Sequence, residues 1–147
     1  MTDQVDLNLK SRDAYVSWAT PSIRYSDLDP NGHVNNGAIN AFFEDGRVQF
    51  RTDRMISLGD DILSGFVLVK FSVEYLKVLH YPGTVDVGTV VTKVGNTSFV
   101  LGQGVFSGDT CVAVAEVFTV SLNSDTQKSQ PIEGALRDVL ENAQRYS

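Results

Sequence analysis

The chain has 147 residues, 42% of them hydrophobic, and twelve basic against eighteen acidic side chains give a formal net charge of −6. That length fits one domain able to bury roughly 68–70% of its unfolded surface, and the acidic balance argues against a nucleic-acid module, whose affinity rests on neutralising phosphates. One cysteine, Cys111, with two histidines excludes an intramolecular disulfide and a thiolate zinc cluster, so a reducing compartment is expected. No apolar run approaches the roughly 18–20 residues of a membrane span, and the polar Met1–Arg12 lacks the order of a signal peptide. The expectation is a cytoplasmic protein without a membrane span.

In chain order, residues 1–13 mix charges with scattered apolar positions and predict a flexible lead-in. Tyr15, Val16, Trp18, Ile23 and Tyr25 suit a strand over Ala14–Tyr25, which Pro21 confines to an edge or an interruption. Ser26–Asn36 gathers Asp27, Asp29, Pro30, Asn31, Gly32, Asn35 and Asn36, which is turn chemistry. Ile39, Phe42, Phe43, Gly46 and Phe50 then recur at helical spacing, predicting a helix capped by Asn35 or Asn36 and ending near Leu58–Gly59. Gly46 within the apolar stripe costs about 1 kcal/mol relative to alanine, which implies a close approach by another part of the chain.

From Phe66 to Leu122 the pattern is antiparallel sheet. Val67, Val69, Phe71, Val73 and Tyr75 alternate with Leu68, Lys70, Ser72 and Glu74, and three further runs, Thr84–Val94, Thr97–Ser107 and Thr110–Leu122, are separated by Gly95-Asn96 and Gly108-Asp109 turns. Gly102 and Gly104 imply a bulge or a place where a ligand comes close to the backbone. Pro131 opens a terminal amphipathic helix within 131–145. The order is α+β: a curved sheet of about five strands around one long helix, within a single domain over 1–147. One helix cannot cover both the faces and the edges of so large a sheet, so self-association is expected.

The chemistry concentrates in Arg24-Tyr25-Ser26-Asp27-Leu28-Asp29-Pro30-Asn31-Gly32-His33-Val34-Asn35-Asn36, immediately before the helix. A helix N-terminus favours developing negative charge, and a carboxylate there can attack a carbonyl or activate water while first-turn N–H groups polarise the carbonyl oxygen. By itself a pair of aspartates two apart before a helix is ordinary turn and capping chemistry.

The longer string, followed by Phe43-Glu44 and Arg47, resembles the hotdog-fold thioesterases, in particular the 4-hydroxybenzoyl-CoA thioesterase and acyl-CoA thioester hydrolase group. Its Asp29 to Asn36 portion is also similar to the plant-type acyl-carrier-protein thioesterases. The resemblance implies a hotdog fold and hydrolysis of an acyl-CoA, with Asp29 as nucleophile or general base. It implies that Asn31 and His33 orient the reacting groups and that the backbone N–H of Asn36 polarises the carbonyl. Asp27 is left as a turn-stabilising residue. Gly32, Val34, Asn35 and Glu74 are further substrate-binding candidates, as are Thr97 and Ser98 for the CoA moiety, along with Lys70, Lys77 and Lys93. No metal or other cofactor is implied, CoA being part of the substrate, and a homodimer or homotetramer is. Glu44 and Arg47, three residues apart, read as an intrahelical pair. His80 stands in no motif.

The alternatives are an acyl-carrier-protein thioesterase and a non-catalytic acyl-thioester-binding hotdog domain. A hydratase using His33 and Glu44 fits less well, because Val34-Asn35-Asn36 follows the histidine in place of that group's proline-rich segment.

Overall fold

The computed structural model describes residues 7–59 and 65–145; the remainder of the expected lead-in, 1–6, lies outside the described residues. Five strands, β1 (Ser17–Ala19), β2 (Phe66–Tyr75), β3 (Asp86–Val94), β4 (Ser98–Ser107) and β5 (Thr110–Ser121), form one antiparallel sheet in the order β1-β3-β4-β5-β2. Two helices accompany them, α1 (Asn36–Met55) and α2 (Gly134–Asn142). The sheet curves around α1, which is the hotdog arrangement.

The apolar stripe of α1 explains the curvature. Ile39, Phe42 and Phe43 pack on Val85, Val87, Val105, Ala113 and Ala115, while Phe50 and Met55 pack on Val91, Phe99, Leu101 and Val117. One helix thus meets inward positions of β3, β4 and β5, which requires the sheet to wrap it, and irregularities at Leu68/Lys70, Val91/Lys93 and Val105/Phe106 supply local bends. Ile132, Leu136 and Leu140 close the far end of this core.

Some expected boundaries shift. The first strand is only three residues long, because Pro21 and the turn chemistry that follows it leave no ladder to continue. The long helix ends at Met55 and passes through a 3₁₀ turn, Ile56–Leu58, closed by Gly59 at φ 94°. The terminal helix starts at Gly134, three residues beyond Pro131.

Residues 7–15 lie on the sheet face opposite α1. Leu7 and Leu9 pack with Ala14, Tyr15, Val90 and Phe106, and the Tyr15 hydroxyl donates to the Leu9 carbonyl. This explains the strand glycines. A Cβ on Gly102 would fall 2.8 Å from Leu9 Cδ2, and one on Gly104 would fall 2.5 Å from Tyr15 Oη. The close approach at these positions is made by Leu9 and Tyr15 and not by a ligand. Gly46 is likewise explained, since a Cβ there would lie 2.6 Å from Val87 Cγ1 and 2.9 Å from Gln103 Nε2.

Candidate active site

Between β1 and α1 the chain makes a tight loop centred on Asp29. The Asp29 N–H donates to the His33 carbonyl at 2.8 Å and the Gly32 N–H donates to the Asp29 carbonyl at 3.0 Å. The side chain joins in, Oδ1 accepting the N–H groups of Asn31 at 2.8 Å and His33 at 3.1 Å. Such a closed turn needs one residue in the left-handed region, and Gly32 takes it at φ 80°. Both donors are spent on Oδ1, so among the described residues Oδ2 has no partner. Asp29 therefore presents one fixed and one open carboxylate oxygen.

Asp27 is employed otherwise. It is 3% exposed, and its Oδ2 accepts the Arg24 N–H at 2.8 Å while Oδ1 meets the Arg24 guanidinium at 2.9 Å. Burial opposes its charge, but these Arg24 donors outweigh burial and hold the carboxyl below the ordinary carboxylate range. The backbone carbonyl of Asp27 accepts from Asn35, whose Oδ1 in turn accepts the Ala38 N–H at 2.7 Å as the N-cap of α1. The two aspartates thus divide the work, Asp27 anchoring the helix entry and Asp29 facing a groove.

That groove, about 270 Å³, is lined by Asp29, His33, Asn36 and Ile39 on one side and by Tyr75 through Leu79 on the other. Val34, buried in the core, ties the two walls together through its N–H to the Leu79 carbonyl at 2.9 Å. Asn35 contributes the cap just described. The N–H groups of Asn36 and Gly37 have no acceptor among the described residues, so the positive end of a twenty-residue helix opens beside the Asp29 carboxylate.

Other candidates are elsewhere. Glu74 lies on the outer sheet face with Ser72 and Glu116, against residues 7–10. Thr97 and Ser98 sit at the far end of the sheet, where Ser98 and Val67 both pair with Val120, whereas Tyr75 pairs with Ala113. Tyr75, which lines the groove, and His80, just beyond its lining, were not among the candidates. His80 stands edge-on to His33 with ring centroids 5.4 Å apart, and the Tyr75 hydroxyl donates to Asn40 Oδ1 at 2.6 Å. Their only sequence signal is position: the end of a long strand and the approach to Tyr81-Pro82-Gly83.

Arg47 does not pair with Glu44. Its Nη1 donates to Gln103 Oε1 at 3.2 Å, and Gln103 Nε2 donates to the Phe43 carbonyl and to Thr89 Oγ1, each at 3.0 Å.

The family model of the thioesterase-like superfamily matches residues 23–140. The chain belongs to that superfamily. Among curated proteins no sequence match is found. Solved structures share the fold: a Pseudomonas aeruginosa protein at 25% identity, covering 91% of this chain and 95% of its own with TM-score 0.79, and a Thermus thermophilus thioesterase complexed with coenzyme A and Zn at 24%, covering 89% and 96% with TM-score 0.78. A DHNA-CoA thioesterase from Staphylococcus aureus is 23% identical, covering 79% and 80% with TM-score 0.69. Superfamily membership supports thioester hydrolysis as the activity of this chain. No helix among the described residues is long and apolar enough to cross a membrane.

Proposed function

We propose that this chain hydrolyses acyl-CoA thioesters to the free acid and CoA, with Asp29 supplying the carboxylate. The observation that carries this reading is the asymmetric Asp29 side chain, with Oδ1 tied to two backbone N–H groups and Oδ2 open beside the first turn of α1. Oδ2 attacks the thioester carbonyl or takes a proton from the attacking water, while the Asn36 N–H receives the developing oxyanion at the helix's positive end. His33 and Asn31 hold the carboxylate through their backbone amides, and the His80 ring packs edge-on against that of His33.

The same reading includes self-association. β2 is a ten-residue edge strand with Val67, Leu68 and Val69 exposed by 40%, 44% and 58%, an edge that soluble proteins cover or pair. Two copies joined antiparallel through β2 would bring the Phe66 end of one strand to the Tyr75 end of the other. That places Thr97 and Ser98 of one copy toward the Asp29 groove of its mate, where they could contact CoA.

The test is thiol release from acyl-CoAs of several chain lengths by the wild type and by Asp29→Asn. Asparagine keeps an Oδ1 for the Asn31 and His33 amides, so the fold is expected to stay within about 0.5 kcal/mol of wild type while turnover falls at least about a hundredfold. Equal turnover by the variant removes Asp29 from the chemistry. Release from acyl-carrier protein alone favours the carrier-protein reading, and tight binding without release favours the non-catalytic one. A single turnover in ¹⁸O-water separates the two roles of Asp29, since only an acyl-Asp29 intermediate leaves label in that side chain.

A further inference from the structure

A second cavity, about 160 Å³, lies between the C-terminal half of α1 and the sheet. Phe50, Met55, Phe66, Phe99 and Leu101 make half of its lining, and Glu44, Arg47 and Arg51 enter it from the helix. Its volume matches a cavity known to take one benzene-sized body.

Arg47 is the anomaly in this lining. It is half-buried, its guanidinium lies 5.6 Å from the Phe71 ring centroid, and one of its five donors reaches Gln103. Gln103 is fully buried and fixed by two other bonds, so it aims Arg47 without neutralising it. Among the described residues no carboxylate comes within ion-pair distance of Arg47 or Arg51. Glu44 lines the same cavity, which leaves two guanidiniums against one carboxylate in a chain whose net charge is −6. Burial pushes the Arg47 guanidinium down from its usual value and Glu44 only partly offsets this. A guanidinium partly withdrawn from water gains from a counter-charge, and an arginine fork held beside an aromatic ring is suited to a carboxylate.

We propose that this cavity binds an acyl group about the size of a benzene ring that carries its own carboxylate, and that Arg47 reads that carboxylate. The substrate class is then the mono-thioester of a dicarboxylic acid. This rests on the thioesterase reading and on the β2 pairing for its place in catalysis. Asn36 and Arg47 of one protomer stand about 16 Å apart along α1, beyond the reach of a short acyl chain, so the cavity serves the Asp29 groove of the mate. The ligand chemistry follows from the cavity alone.

The experiment compares hydrolysis of adipoyl-CoA with hexanoyl-CoA, and of suberoyl-CoA with octanoyl-CoA, by the wild type, Arg47→Met and Arg47→Lys. The expected kcat/KM ratio favours the carboxylated member of a pair by about tenfold or more in the wild type, falls to about one in Arg47→Met and is partly kept in Arg47→Lys. A wild type that hydrolyses hexanoyl-CoA and octanoyl-CoA as well as their carboxylated partners overturns the inference and leaves the thioesterase reading standing. So does a preference that survives in Arg47→Met. If no thioester is hydrolysed, the thioesterase reading fails, and calorimetric titration with benzoate and benzyl alcohol decides the cavity. Benzoate binding tighter than the alcohol, and lost in Arg47→Met, supports the anion site; equal binding, or none, overturns it.

Discussion

Asn35 holds one atom of Asp27 with two donors: its backbone N–H and its side-chain Nδ2 both reach the Asp27 carbonyl oxygen at 2.9 Å. Since Asn35 Oδ1 also caps α1 through the Ala38 N–H, the orientation of the Asp29 loop and the start of the helix are set by the same side chain.

Asp27 should therefore behave as a stability residue. Replacing it with asparagine is expected to cost about 1–2 kcal/mol at neutral pH through the lost charge-assisted bonds, most of it from the backbone N–H, because the Arg24 guanidinium is exposed and solvent screens that pair. The folded carboxyl lies below its unfolded value. Its stabilisation is fully present above about pH 4 and is lost as pH falls through the folded value. Denaturant titrations between pH 7 and pH 2 check this, with Asp27→Asn flattening the acid limb.

Gln103 joins α1, β3 and β4 by three hydrogen bonds from a fully buried position. Gln103→Leu fills a similar volume but strands the Phe43 carbonyl, the Thr89 hydroxyl and the Arg47 guanidinium. A loss of about 2–3 kcal/mol in denaturant unfolding is expected, together with altered acyl preference even where the folded fraction is full.

The apolar architecture was readable in the sequence because the determining signals are local and periodic: the spacing of Ile39, Phe42, Phe43 and Phe50, and the Gly95-Asn96 turn. The Asp29 loop was readable because its turn chemistry is compact. What escaped depends on contacts between distant segments. Nothing around Leu9 announces that it will cover Gly102. The spacing of Glu44 and Arg47 suggests a pair along the helix, yet Gln103, fifty-six residues further along, captures the arginine. Tyr75 enters the groove, and His80 meets His33, only because β2 ends beside the loop.

Gly46→Ala tests the packing of helix on sheet. Helix propensity alone would favour alanine by about 1 kcal/mol, but the added methyl meets Val87 and Gln103 inside van der Waals range, where overpacking costs about 1–3 kcal/mol. A lower melting temperature is expected. Combined with Val87→Ala, the alanine at position 46 should cost less than it does alone, giving a non-additive cycle.

A lysine at Val69, the most exposed apolar position of β2, should prevent edge pairing while leaving the protomer folded. Sedimentation velocity is expected to show a monomer where the wild type is a dimer, with unchanged circular dichroism. Hydrolysis should fall with the loss of the dimer, because the groove would lose the CoA contacts offered by the mate's Thr97 and Ser98. A wild type that sediments as a monomer at working concentrations would remove β2 as the joint.

The strap of residues 7–15 has a bearing on higher assembly. With Leu9 over Gly102 and Tyr15 over Gly88 and Gly104, the outer face of β3 and β4 is already covered in part by this strap. Two pairs stacking back to back would meet strap against strap, so the choice of neighbour would be written in residues 7–15. The strands beneath would be free to keep the glycines their curvature and packing require.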